Sequence, residues 1–249
     1  MNSLFDIVFI NPPMSYRTRL GPFERMGSHS PPFNLCYLAG IVRENGYSTA
    51  IIDAEADFLD TEKVIKKTLE KNPAYIGITA TTLGIMHAAD IALELKKRAP
   101  HMFIMLGGVH VSALPDETME RYPQFDLAVL GEGEETIIEV LNAKKYNGSL
   151  KDINGIICRE KDKLIKTQTR ALMQNLNELP HPAFDLLENF PDAYRPALLK
   201  FKQLPSIMLS TSRGCPYKCI FCDSSVLKDT YRAYSVDYII DLVRTLKKK

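Results

Sequence analysis

The sequence lacks a long hydrophobic run, an excess of charge of one sign and the cysteine pattern of a disulfide-stabilised protein. No apolar stretch approaches the roughly 20 residues that a membrane-spanning helix needs. The 31 basic and 30 acidic residues give a net charge of +1, and the basic residues are spread along the chain, unlike the basic patch of a nucleic-acid-binding protein. We therefore expect no membrane span and no nucleic-acid partner.

A secretory leader is not visible at the N-terminus, because the segment lacks a basic start and Asp6 interrupts its short apolar run. The 5 cysteines are an odd number, and most of them fall together near residue 220. This distribution is unlike a disulfide framework and is typical of a metal site in a reducing compartment. A cytoplasmic protein is the expectation.

The first 142 residues alternate short β-rich runs with amphipathic helical patterns. Leu35, Leu38, Ala39 and Val42 have helical spacing, and so do the apolar residues from Ile85 to Leu93. The predicted strands are Ile7–Ile10, Thr49–Asp53, Tyr75–Thr79, Phe103–Leu106 and Leu127–Leu130. Such alternation predicts an α/β fold, a Rossmann-like or flavodoxin-like doubly wound parallel sheet of these five strands.

Ligands of such sheets bind in the crevice beyond the carboxyl ends of the strands. Small residues and glycines concentrate at four of these ends, so that the backbone can approach a bulky ligand. These segments are Asn11-Pro12-Pro13, Ala80–Gly84, Gly107-Gly108-Val109-His110 and Gly131-Glu132-Gly133-Glu134. Ordinary tight turns between strands and helices are the alternative interpretation.

The chain changes character after the predicted sheet. Two short β-rich runs, Ile153–Arg159 and Leu164–Thr167, flank a polar turn and predict a hairpin. A proline-punctuated linker follows, and then a strand over Ser206–Ser210 and a helix from Val236 with Ser235 as its N-cap. We expect three segments: the α/β domain (1–145), the hairpin and linker (146–204), and a further βα unit (205–249).

The most distinctive motif is a cysteine trio, Cys215, Cys219 and Cys222, with C-x3-C-x2-C spacing. Thiolates suit iron–sulfur clusters and zinc, and structural zinc usually takes four ligands in two pairs. Here there is one trio, and three thiolates on a cubane would leave one iron open to a cosubstrate. A zinc site completed by a distant histidine remains the alternative, and Cys36 and Cys158 are expected to be buried hydrophobes.

The trio, with Phe221 directly before its last cysteine, resembles the signature of the radical S-adenosylmethionine superfamily. The resemblance implies that Cys215, Cys219 and Cys222 bind a [4Fe–4S] cluster and that S-adenosylmethionine chelates its open iron. Cleavage of the sulfonium by one electron would then give a 5′-deoxyadenosyl radical. Phe221 is implied as a packing residue for the cosubstrate, with core packing as the alternative. An electron donor such as flavodoxin or ferredoxin is also implied.

The preceding α/β domain resembles that of the cobalamin-binding class of these enzymes, which implies cobalamin as a second cofactor. The motif that supplies an axial histidine in cobalamin mutases is absent, because Asn11-Pro12 stands in its place. No histidine from that loop is therefore expected on cobalt. The contacts that the resemblance implies are Asn11, Pro12, Thr81, Leu83, Gly107, Gly108, His110, Gly131 and Glu132. A loop role for His110 and a helix-dipole role for Glu132 are the alternatives.

In the radical S-adenosylmethionine family that this chain resembles, the domain is a partial barrel of repeated βα units. Only the first of these units fits after Pro205. We therefore expect a truncated barrel that carries the cluster ligands without a complete active site. The sequence predicts a cobalamin-dependent radical S-adenosylmethionine protein acting on an unidentified small molecule, with methyl transfer to an unactivated carbon as one candidate reaction. A non-catalytic cobalamin-binding module and a zinc-stabilised interaction protein are the competing hypotheses.

Overall fold

The fold is known from a computed structural model that describes residues 4–161, 163–196, 203–204, 206–222 and 230–247. Five parallel strands form the centre of the sheet, in the order β2-β1-β3-β4-β5. They are β1 (Phe5–Asn11), β2 (Thr49–Asp53), β3 (Pro73–Thr79), β4 (Phe103–Gly107) and β5 (Leu127–Val129). The predicted strands are thus confirmed, and their order is that of a flavodoxin-like doubly wound sheet.

Helices cover both faces of this sheet, because successive strand residues point to opposite sides. Val8 and Ile10 pack into one core cluster, and Ile7 and Phe9 pack into the other. The helices are α1 (Tyr16–Leu20), α2 (Phe33–Glu44), α3 (Thr61–Lys71), α4 (Ile85–Arg98), α5 (Val109–Ala113), α6 (Pro115–Arg121), α7 (Glu134–Lys145) and α8 (Val236–Leu246). Helices α3 and α4 lie on one face, and α2 and α7 lie on the other. Within the described residues, no helix is both long and apolar enough to cross a bilayer.

The predicted hairpin forms from β6 (Ile156–Glu160) and β7 (Lys163–Lys166). Strand β6 also pairs antiparallel with β5, which extends the sheet to seven strands. The sequence predicted the hairpin but not this addition to the sheet, because pairing between distant strands leaves no local pattern.

The proline-punctuated segment after the hairpin is packed rather than loose. Ala183 and Phe184 are almost fully buried, and the Ala183 N–H donates to the carbonyl of Cys36 in α2 at 2.9 Å. A Cβ on Gly40 would lie 2.9 Å from the His181 carbonyl oxygen, so the segment and α2 are in close backbone contact.

The C-terminal segment departs from the prediction in two respects. Residues 206–210 are irregular, and the strand nearby is β8 (Ser212–Gly214), which pairs antiparallel with β9 (Tyr231–Ala233). The predicted strand at Ser206–Ser210 was therefore wrong, because no described segment pairs with it. The predicted βα unit is replaced, within the described residues, by a two-stranded ladder and a helix.

Helix α8 begins where it was predicted, and the Ser235 hydroxyl accepts a hydrogen bond from the Tyr238 N–H at 3.2 Å. Its buried face is different. Val236 and Ile240, which share one apolar face of the helix in the sequence, are exposed, whereas Leu242 is 2% exposed. The buried face follows the aromatic contacts, because Tyr238 stacks on Tyr234, which in turn stacks on Tyr37 of α2.

Candidate functional site

A cavity of about 960 Å³ opens at the carboxyl ends of the parallel strands. This volume is near the upper end of the range of about 300–1,000 Å³ that ligand sites commonly show. The ends of β1, β3, β4 and β5 form its base, and the first turns of α2 form a wall. The site is therefore where the topology of a doubly wound sheet places ligands.

Most of the residues that were predicted to contact a ligand line this cavity. They are Asn11, Pro12, Thr81, Leu83, Gly107, Gly108, Gly131 and Glu132. His110 and Phe221 are not among the lining residues. The fold thus brings together four segments that lie far apart in sequence, from Asn11 to Glu132.

The base of the cavity depends on Gly107 and Gly108. The Ala80 N–H donates to the Gly107 carbonyl at 2.9 Å, and the His110 N–H donates to the Ala80 carbonyl at 3.2 Å. A Cβ on Gly108, whose φ is +102°, would lie 2.6 Å from the Ala80 carbonyl oxygen. A Cβ on Gly107 would meet no atom within 4 Å. Gly108 is therefore required by the fold, whereas Gly107 leaves space in the cavity.

Asn11 is held by a buried carboxylate. Its side-chain amide donates to Asp53 Oδ1 at 2.8 Å, and the Tyr194 hydroxyl donates to Asp53 Oδ2 at 3.0 Å. Burial raises the pKa of Tyr194 far above its usual range, and the nearby Asp53 raises it further. Tyr194 therefore stays a hydrogen-bond donor, and the group fixes the end of β1 beside the cavity.

His110 lies below the lining rather than in it. His110 is 9% exposed, and its Nδ1 lies 3.3 Å from Thr82 Oγ1. Burial lowers the pKa of His110, although the charge of Glu117 acts in the opposite direction. The geometry favours a neutral, hydrogen-bonded structural histidine, so a contact between His110 and a ligand stays a prediction.

Glu132 lines the cavity, but its carboxylate is already engaged. Arg232 donates to both oxygens of Glu132, at 2.8 and 2.9 Å, and the Met173 N–H donates at 3.0 Å. Burial alone would raise the pKa of Glu132, but these donors and the charge of Arg213 bring it below its usual value. Glu132 is therefore ionised at neutral pH and anchors the segment that carries the cysteines.

Sequence reasoning missed one wall of the cavity. Phe33, Asn34 and Tyr37 of α2 line it, and the Asn34 amide donates to Thr79 Oγ1 at 2.8 Å. The helical spacing around Leu35 and Leu38 did predict α2. The spacing could not show that the first turn of this helix faces the strand ends.

The cysteine trio lies on an accessible loop directly after β8. Cys215 is partly exposed, Cys219 and Cys222 are exposed, and the Cys222 N–H donates to the Cys219 carbonyl at 3.0 Å. Phe221 is 89% exposed. Accessible thiols on one short loop fit the donor chemistry of an iron–sulfur cluster. In the part of the chain that the structure describes, however, no three potential ligands are arranged to hold a metal ion.

The two remaining cysteines are buried, as the sequence predicted. Cys36 lies in α2 and Cys158 in β6, and both are free thiols. Burial raises the pKa of each thiol, with nearby carboxylates adding to the effect. Both are therefore unreactive hydrophobes and serve as internal controls for the trio.

Comparison with known proteins shows which families the chain that forms this cavity is similar to. A B12-binding domain model matches residues 23–141. An uncharacterized methyltransferase of Pyrococcus horikoshii is 38% identical over 220 residues, which cover 87% of this chain and 46% of that protein. The anaerobic magnesium-protoporphyrin IX monomethyl ester cyclase of Cereibacter sphaeroides is 26% identical over 96% of this chain and 38% of that protein.

Among solved structures, the fold is similar to that of OxsB, a cobalamin-dependent S-adenosylmethionine radical enzyme solved with aqua-cobalamin and S-adenosylmethionine bound. The TM-score is 0.76 at 23% identity, over 96% of this chain and 31% of OxsB. This chain thus spans less than half the length of each of these proteins. The chain is a relative of the cobalamin-binding radical S-adenosylmethionine proteins, and its residues 23–141 match the B12-binding domain family.

Proposed function

We propose that the cavity binds cobalamin and that the cysteine loop binds a [4Fe–4S] cluster and S-adenosylmethionine. The protein would thus be a cobalamin-dependent radical S-adenosylmethionine enzyme, with methyl transfer to an unactivated carbon of a small molecule as one form of its chemistry. The observation that carries the proposal is the cavity itself. It lies at the carboxyl edge of the sheet, and the matched B12-binding region supplies most of its lining.

The cavity has room for a bulky ligand, and its lining is mainly apolar with a few hydrogen-bonding groups. Gly107 and Gly108 give a base without side chains, and the Thr81 hydroxyl can donate to or accept from a ligand amide. Leu83, which is 62% exposed, offers apolar contact at the edge. These residues would line the nucleotide tail of cobalamin.

Among the described residues, no histidine lines the cavity. Asn11 is committed to Asp53, Pro12 has no side-chain donor, and His110 lies beneath the lining. The cavity would therefore bind cobalamin through its corrin ring and nucleotide tail, and the loop after β1 would contribute no imidazole to cobalt.

The cysteine loop would supply the second cofactor site. Cys215, Cys219 and Cys222 would hold the cluster, and the exposed Phe221 would pack against the cosubstrate. When bound, the cluster and its cosubstrate would supply radical chemistry, and cobalamin would supply a transferable methyl group. A flavodoxin or ferredoxin would provide the electron, and a reducing compartment such as the cytoplasm suits the free thiols.

Corrinoid binding is tested by titrating the full chain with hydroxocobalamin and, separately, with cobinamide, which lacks the nucleotide tail. We expect one hydroxocobalamin per chain and weaker binding of cobinamide, because the tail contacts around Thr81 would be lost. Equal affinity for the two corrinoids would contradict tail binding, and no binding of either would contradict the cobalamin proposal.

The cluster is tested by anaerobic reconstitution with iron and sulfide, followed by metal analysis. Cys215→Ala, Cys219→Ala and Cys222→Ala should each lose most of the iron, whereas Cys158→Ala, which removes a buried thiol in β6, should retain it. Full iron in all three loop variants would rule out these ligands. Zinc without iron in the anaerobically purified wild type would favour a zinc-stabilised protein instead.

A further inference from the structure

The turn after β5 meets the two arginines that flank the cysteine loop. Arg213 donates to Glu132 at 3.2 Å and to Glu134 at 2.6 Å, and Arg232 holds both oxygens of Glu132. We refer to Glu132, Glu134, Arg213 and Arg232 as the carboxylate–arginine cluster. The exposed fractions of its four side chains range from 7% for Glu134 to 19% for Arg213.

The cluster joins the cavity to the cysteine loop. Arg213 lies in β8 and Arg232 lies directly opposite in β9, so both sit on one antiparallel ladder. Cys215 follows Arg213 by two positions on the loop between these strands. Glu132, Glu134 and Arg213 also line the cavity, whereas Arg232 does not. A ligand in the cavity would therefore contact the groups that hold the cysteine loop.

Charge and burial make this connection stiff. Two carboxylates face two guanidinium groups, so the cluster is balanced, and loss of one member would leave a buried charge without its partner. The Arg213 guanidinium also lies 5.2 Å from the centre of the Tyr37 ring in α2. Arg213 is thus held by three elements at once: α2, the first turn of α7 and the β8–β9 ladder.

The cluster also has capacity for a ligand. Glu134 Oε1 accepts the Arg213 hydrogen bond, and Glu134 lines the cavity. Because a carboxylate has about four acceptor positions, Glu134 can also accept from a ligand N–H. Primary carboxamides, which are the peripheral groups of a corrin ring, are donors of that type. Such a bond would tie the ligand to the same residues that position the β8–β9 ladder.

We propose that the carboxylate–arginine cluster couples corrinoid binding in the cavity to the positioning of the cysteine loop. This inference rests on the proposed cobalamin function. The coupling is reciprocal by thermodynamic linkage: a corrinoid in the cavity favours the placed loop, and the placed loop raises the corrinoid affinity by the same factor. Weakening the cluster should remove this gain in affinity. Arg232 is a positioning residue in this account, because it acts through Glu132 and does not line the cavity.

The test measures hydrogen exchange of the full chain by mass spectrometry, with and without hydroxocobalamin. In the wild type, hydroxocobalamin should slow exchange both at the strand ends (residues 80–84 and 107–112) and in the segment 210–222. In Arg232→Lys, which cannot bind Glu132 in the same bidentate way, the strand ends should still be protected. Protection of 210–222 should be lost, and the affinity should fall about tenfold.

Arg170→Lys is the matched control. Arg170 is 14% exposed and pairs with Glu135 and Glu139 further along the same helix, α7, but it does not line the cavity. We expect this variant to keep both the affinity and the protection of 210–222. Glu132→Gln serves as a second test variant if Arg232→Lys does not fold, and the same loss of coupling is expected.

The outcomes separate the two proposals. A wild type that binds no hydroxocobalamin overturns the proposed function together with the inference. A wild type that binds it without added protection of 210–222 overturns only the coupling. The coupling is also overturned if the Arg232→Lys and Arg170→Lys variants behave alike.

Discussion

Two adjacent glycines at the base of the cavity should respond to the same substitution in opposite ways. Gly108 has φ +102° and ψ −179°, a conformation that is essentially restricted to glycine. Holding an alanine there costs about 1–3 kcal/mol. Its Cβ would also lie 2.6 Å from the Ala80 carbonyl oxygen, which accepts the His110 N–H. Overpacking of this kind costs about 1–3 kcal/mol more.

The Gly108→Ala substitution should therefore lower the free energy of unfolding by about 4 kcal/mol, the middle of the summed range. Gly107→Ala is the matched control, because its Cβ meets no atom within 4 Å and its φ is ordinary. Alanine also reduces the conformational freedom of the unfolded chain, so Gly107→Ala should leave the stability unchanged or raise it by up to about 1 kcal/mol.

Urea unfolding followed by circular dichroism measures both variants, with the midpoint compared at equal slope. In thermal unfolding, a protein of this size should show a shift in Tm of roughly 2–4 °C for each kcal/mol of lost stability. The reasoning is refuted if the two variants unfold at the same urea concentration. It is also refuted if Gly107→Ala is the less stable variant.

Three further predictions concern other parts of the fold. Ser235→Ala should lower the free energy of unfolding by about 1 kcal/mol in urea titrations, because it removes the N-cap acceptor of the Tyr238 N–H. Ser235→Asp should restore the stability, and an equal loss in both variants would contradict the capping role. Asp53→Ala should lower the free energy of unfolding by about 2–4 kcal/mol, because Asn11, Tyr194 and the Ala56 N–H would lose a buried acceptor, and a neutral effect would show that this carboxylate is not structural. The pKa of Glu132 lies below its ordinary value of 4.5, so the stabilisation from its charge is complete above about pH 4.5 and is lost as the pH falls through the lower folded-state pKa. The stability difference between wild type and Glu132→Gln should therefore shrink below pH 4.5, and a difference that grows on acidification would reverse the sign of this argument.

Much of the fold follows from local sequence patterns. The five parallel strands, the hairpin and the start of α8 were predicted because alternation, helical spacing and a capping serine act over a few residues. The strand order and the pairing of β6 with β5 could not be read in this way. The strand predicted at Ser206–Ser210 failed for the same reason, since an apolar run becomes a strand only beside a partner.

In the candidate site, too, local sequence patterns predict some features and miss those that depend on long-range contacts. Strand-end glycines are visible in the sequence, because their positions follow directly from the strands. The α2 wall and the engagement of Glu132 by Arg213 and Arg232 depend on contacts between distant segments, which spacing alone does not encode. His110 is buried beside Thr82, which a strand-end position does not reveal in the sequence, and its contact with a ligand stays a prediction.

The most direct test of the central claim is the affinity of one cavity-filling variant for hydroxocobalamin. Gly107→Leu places a side chain where the cavity has open space, and Ala171→Leu adds the same side chain at an exposed position outside the cavity. The account predicts that wild type and Ala171→Leu bind hydroxocobalamin equally and that Gly107→Leu binds it at least about tenfold more weakly, a loss of about 1.4 kcal/mol. Equal binding by all three proteins would place the corrinoid elsewhere and contradict the account.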